Sequence, residues 1–166
     1  MMAFRIAWFK VYHPLAFYAA YFSIRAKAFD LRIMTGDLKT QMTEFNRIKA
    51  LDRGASPKDK DLMSALEVSM EMYQRGYRFV NVDIQHSEAR RFSIKDGALL
   101  PPFLAIDSLG ETVADAIVAE REERPFTSLK DLQRRCKVSN TIIDLMKELK
   151  CCGELPEDEQ MSLFGA

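Results

Sequence analysis

Two short turns in the C-terminal half hold the residues whose types and spacing best suit chemistry. Ser108-Leu109-Gly110 separates a short apolar segment, 103–107, from an amphipathic run that opens at Glu111. Glycine there permits positive φ and the close approach of an outside group. The amides of Glu111, Thr112 and Val113 then fall at a helix start. Unsatisfied N–H groups and the helix dipole attract phosphate at such a place. Contacts of that kind hold a duplex by its backbone without reading its bases. A second turn, Lys137-Val138-Ser139, joins 129–136 to 140–150 and repeats the layout without a glycine. Basic residues gather around the turns: Arg121, Arg124, Lys130, Arg134, Arg135 and Lys137. Two such hairpins pack as a pseudo-dyad and grip both strands of double-stranded DNA. The competing reading of the first turn is an ordinary corner between helices. The second turn reads equally as structural or as a weaker contact.

The extreme C-terminus carries a different kind of signal. Gln160-Met161-Ser162-Leu163-Phe164 has the form of a linear peptide anchor. Leu163 and Phe164 fill a hydrophobic pocket on a partner, and Gln160 hydrogen-bonds its rim. The acidic run Glu157-Asp158-Glu159 is expected to keep this tail exposed and extended. The alternative is a tail folded back onto its own core.

No catalytic residue and no metal ligand emerge. The sequence has no glycine-rich phosphate loop, no Ser/His/Asp arrangement and no metal-ligand spacing. Cys136, Cys151 and Cys152 are too few and too close for a disulfide framework, and His13 and His86 do not complete a metal site. Free thiols point to a reduced, cytoplasmic setting. The 24 Lys+Arg balance 24 Asp+Glu, which excludes a uniformly basic coat but not a local nucleic-acid site.

The elements that must position these turns form a mainly α chain with a small β-hairpin, an α+β class. Apolar helices are expected near 3–12 and 14–24, the second opened by Pro14. Their apolar residues cover nearly every face, so they are expected to bury against something larger. Leu38, Met42, Phe45, Ile48 and Leu51 predict a helix over 37–53, closed by Gly54. Ser56-Pro57 opens the next helix and Gly76 ends it. Phe79, Val82 and Ile84 suggest a strand. Lys95-Asp96-Gly97 predicts a hairpin turn between 92–94 and 98–100. The expected organisation is a helical segment 1–76, a small β connector 77–101, a tandem helix-hairpin-helix unit 102–152 and an acidic tail 153–166.

The uncharged run from Val11 to Ile24 spans 14 residues, short of the ~20 that a membrane helix needs. A secreted or membrane-anchored helical protein, with Phe29 as mature N-terminus after Ala26-Lys27-Ala28, is a distant alternative.

Phe4-Arg5-Ile6-Ala7-Trp8-Phe9-Lys10 and the stretch 14–22 resemble the fingers region of PolC-type bacterial DNA polymerase III alpha subunits. Leu99-Leu100-Pro101-Pro102-Phe103-Leu104-Ala105-Ile106, then Leu109-Gly110, resembles that family's entry to its tandem helix-hairpin-helix. The stretch 126–139, Leu155-Pro156 and Gln160–Phe164 are similar as well, in the family's order. The resemblance implies the C-terminal part of a replicative DNA polymerase. Its hairpins would hold duplex DNA and its tail would bind the sliding clamp. The remainder of the polymerase would supply the palm, whose carboxylates hold magnesium, so this chain alone needs no cofactor and is expected not to polymerise DNA. Ser108 stands where the family commonly has glycine, and Met161 where it commonly has Leu. Met1-Met2 falls where the family has interior sequence. The alternative is a stand-alone DNA-binding or clamp-tethering adaptor, which should bury Trp8.

Overall fold

Local punctuation decides where the helices begin and end. The computed structural model describes residues 2–24 and 28–158. Pro14 divides two apolar helices, α1 (Met2–Tyr12) and α2 (Pro14–Ile24). After the short α3 (Leu31–Met34), Asp37 caps α4 (Leu38–Ala50) by accepting the Thr40 amide. Helix α4 ends earlier than the pattern predicts. A 3-10 turn over Asp52–Gly54 follows it, and Asp52 adopts a φ of 43°. Ser56 and Asp59 cap each other's backbone at the start of α5 (Pro57–Gln74). Gly76, at a φ of 85°, closes α5 with Tyr77 N–H donating to Met72 O at 3.1 Å.

The expected strand through Phe79 and Ile84 does not form. Only one bridge, Phe79 to Leu99, joins this extended segment to the hairpin. Its remaining groups bond elsewhere. The Asn81 side chain donates to Leu149 O, and Ile84 N–H donates to Cys151 O at 3.1 Å. The hairpin pairs β1 (Ser93–Lys95) with β2 (Ala98–Leu100). Lys95 belongs to the strand, and the turn is Asp96-Gly97 alone, both at positive φ.

The core runs unbroken from α2 to the C-terminal helices. At its centre, Phe79 stacks edge-on against both Phe22 and Phe29 at 4.9 Å, and Phe92 closes the group 5.0 Å from Phe29. These rings join α2, the loop before α3 and the hairpin. A buried polar link joins α3, α4 and α5: Ser69 donates to Gln41, whose amide donates to Met34 O. The C-terminal half is α6 (Glu111–Glu123), α7 (Leu129–Cys136) and α8 (Asn140–Glu148), with a 3-10 turn at Phe103–Ala105 before them.

Helix α2 buries Tyr18 and Phe22, whereas α1 leaves Ile6, Trp8, Val11 and Tyr12 at least half exposed. A hollow of about 500 Å³ lies between the two, walled by Ile6, Phe9, Phe17 and Ile24. Among the described residues, no helix is long and apolar enough to cross a membrane. Burial pushes the thiols up, Cys136 and Cys152 to about 11 and Cys151 to about 12, so all three stay protonated and act as packing groups.

The ring cluster sets a test of the fold. Phe79→Ala is expected to cost about 3–5 kcal/mol in urea unfolding. A loss below about 1 kcal/mol would show that these rings do not join the two halves.

Candidate nucleic-acid interface

Each turn is built the same way. In the first, Ser108 takes the left-handed conformation at φ 63°. Leu109 drops into the core, 4% exposed. Gly110 is the extended N-cap of α6, with φ −73° and ψ 156°. In the second, Lys137 is left-handed at φ 54°, Val138 is buried, and Ser139 is the N-cap of α8 with φ −70° and ψ 155°. The first bonds also agree. Gly110 O accepts from Val113 and Ala114 at 3.1 and 3.0 Å, and Ser139 O from Ile142 and Ile143, both at 3.1 Å. The second turn is thus a backbone copy of the first.

This geometry corrects the role expected of Gly110. The left-handed residue is Ser108, at a cost of about 1 kcal/mol that a glycine would avoid. Gly110 itself has a φ open to any residue. A Cβ placed on it would meet nothing within 4 Å. No backbone or packing need inside the chain therefore calls for glycine. Gly110 also brings no side chain to its own helix end, whereas the Ser139 hydroxyl accepts from the Ile142 amide. The Val113 amide is committed to Gly110 O, which leaves Glu111 and Thr112 at the open end of α6. Leu109 and Val138 are pegs that face inward, while Lys137 is exposed. Gln160, Met161, Ser162, Leu163 and Phe164 lie outside the described residues.

Arg90, which the spacing did not single out, sits beside the first turn. It bonds Glu111 at 2.8 Å and Asp115 at 2.5 Å, and its hydrogen bond, backed by its charge, holds the Asp115 carboxyl below the usual range. The acid next to the open helix end is thereby neutralised. No local signal marks Arg90, because its partners lie 21 and 25 residues downstream.

Two of the basic residues assigned to the cluster turn inward. Arg121 donates to Ile84 O and Ser87 O at 3.0 and 2.9 Å. Arg135 lies over the Phe126 ring at 4.8 Å, bonds Glu120 at 3.0 Å and reaches Asp131 at 3.3 Å. Asp131 is 2% exposed and also binds Arg124, Arg134 and the Thr127 amide. This buried carboxylate fixes the angle between α6 and α7. Among the described residues, no group of three His, Cys, Asp or Glu is placed to hold a metal.

The helix-hairpin-helix motif family matches residues 76–160, just over half of the sequence. The chain belongs to this family. Known proteins extend the likeness to nearly its whole length. A PolC-type DNA polymerase III of Caldanaerobacter subterraneus subsp. tengcongensis is 45% identical over 99% of the chain. PolC-type DNA polymerases III of Streptococcus suis and Streptococcus pyogenes are 47% and 44% identical over the same share. The chain spans 11–12% of the length of these relatives. The similarity to PolC-type polymerases therefore runs from α1 through the hairpins.

Asp131 makes the junction of α6 and α7 acid-sensitive. Burial alone would raise its pKa, but the Thr127 amide, Arg134, Arg135 and the charge of Arg124 pull it below the ordinary value. A depressed folded pKa gives stability that is present above the unfolded value and lost as pH falls through the folded one. Stability is expected to decline from about pH 4 downward. Asp131→Asn should flatten that decline and cost about 3 kcal/mol at neutral pH. Thermal melts across pH read both effects, and an unchanged acid limb would contradict the assignment.

Proposed function

We propose that this chain holds duplex DNA by its backbone, as the duplex-gripping part of a PolC-type replicative polymerase, and tethers that polymerase to the sliding clamp. One observation carries the DNA reading. Gly110 is glycine without internal need, at an uncapped helix end, where only an outside group would meet a side chain. A phosphate seated on the Glu111 and Thr112 amides is such a group. The second turn offers the same backbone with Lys137 beside it, so the two turns address two phosphates.

The exposed face of α1 fits the remainder of the polymerase as partner. Trp8, half exposed, speaks against a self-sufficient adaptor. Nucleotidyl transfer belongs in this reading to the parent's palm and its magnesium. The clamp-binding role rests on the sequence 160–164, with Gln160, Leu163 and Phe164 as anchors. The setting is the bacterial cytoplasm. A peptide of micromolar affinity suffices for tethering, because effective concentration multiplies it.

Duplex binding is expected to be indifferent to sequence and to weaken steeply with salt. Gly110→Ala should lower duplex affinity about five- to tenfold while moving stability by less than about 1 kcal/mol. Fluorescence anisotropy with two unrelated duplexes measures the first effect. Full affinity in a folded Gly110→Ala chain would overturn the backbone-contact reading. For the tail, purified chain should bind a bacterial sliding clamp, and Phe164→Ala should abolish that binding. Retained binding in the variant would sink the anchor assignment.

A further inference from the structure

The acidic tail does not hang free where it leaves the hairpins, contrary to the expectation for its charged run. Pro156 O accepts the Leu129 amide at 2.9 Å, and Glu157 O accepts the Lys130 amide at 3.3 Å. Glu157 pairs with Lys147 at 2.6 Å, and Asp158 with Lys130 at 2.5 Å. The tail is strapped across the open end of the second hairpin, from α8 back to the start of α7.

What the strap covers matters. Lys130 and Arg134 are four residues apart, so they share one face of α7, and Lys137 follows at the left-handed C-cap. The Lys130 and Arg134 side chains are 67% and 72% exposed. The stripe that they form runs about 6 Å along the helix, away from the second turn. At its far end is a hollow of about 340 Å³, lined by Ser128, Lys130, Asp131, Arg134 and Asp158. Asp131 is already committed to three arginines and to the backbone. Arg134 gives one nitrogen to Asp131 and keeps other donors for the hollow.

We propose that Asp158 is a built-in competitor for nucleic-acid phosphate: its carboxylate occupies the Lys130 end of a basic stripe on α7 and must leave before a duplex can engage that stripe fully. This rests on the reading of the hairpins as duplex-binding. The ion pairs that hold the strap are exposed, and each such pair is weak and sensitive to salt. The competitor is therefore displaceable, and it sets the affinity of the second hairpin rather than blocking it. Anything that draws the tail away frees Lys130 for DNA.

The full chain, Asp158→Asn, Lys130→Ala and the double variant should be titrated with a duplex at low and moderate salt. Asp158→Asn is expected to raise affinity about threefold at low salt, with the gain shrinking as salt rises. Lys130→Ala should cost less than about twofold in the native chain but about fivefold in the Asp158→Asn background. That non-additivity marks direct competition. Glu154→Gln, which removes an exposed charge from the same tail, should change affinity far less than Asp158→Asn. Equal losses from Lys130→Ala in both backgrounds would overturn the competitor while leaving duplex binding intact, as would an equal gain from Glu154→Gln. Absence of duplex binding in every variant, with unchanged melting temperatures, would overturn the duplex reading and this inference with it.

Discussion

One buried carboxylate governs the geometry of the C-terminal half. Asp131 is withdrawn from water and repaid by three guanidinium groups and a backbone amide. A lone charge there would be intolerable, so it draws partners from the end of α6 and from α7. Arg135 extends the constraint, because it also grips Glu120 on α6 and lies over Phe126. These bonds tie the two hairpins together through α6 and α7. In the proposed duplex-binding role, that rigidity would spare the two turns the freedom that binding otherwise removes.

The turns then specialise on a common backbone. Each has a left-handed residue, a buried apolar peg and an extended N-cap. The peg fixes depth: Leu109 and Val138 sit in the core and hold the following helix start at the surface. The caps differ in what they leave open. Ser139 bonds its own helix, whereas Gly110 leaves the end of α6 bare. Lys137 compensates in the second turn with a cation at the left-handed position. In the proposed role, the first turn would offer amides and the second a charge.

Much of this was legible because punctuation is local. Ser56-Pro57, Gly76 and Asp96-Gly97 encode caps and a turn within a few residues, and the helix pair divided at Pro14 followed the same logic. What was not legible depended on distant partners. The alternation of Phe79, Val82 and Ile84 suits a strand, yet the Ile84 amide bonds to Cys151 O and the Asn81 side chain anchors the segment to Leu149 O instead. The left-handed conformation was assigned to Gly110 because glycine tolerates it best, but the pegged loop imposes it on Ser108. Arg121 and Arg135 looked like solvent-facing cations, and only the packed structure reveals the carbonyls and acids that turn them inward. Arg90 carried no signal at all, because its role exists only where the chain returns to α6.

The balanced charge of the chain becomes intelligible in this light. A protein that holds DNA by a basic coat needs an excess of Lys and Arg. Here the total is even, 24 against 24, and many cations have internal work. Arg90 cancels the acids beside the first turn, and Arg135 and Arg124 sustain Asp131. Recognition by helix-end amides does not draw on net charge, since those dipoles come with the backbone. A small basic stripe beside them is then enough, provided its strength is kept in check. In the proposed duplex-binding role, strong non-specific attraction would slow release of the DNA, and an acidic tail resting on the stripe would hold that attraction down.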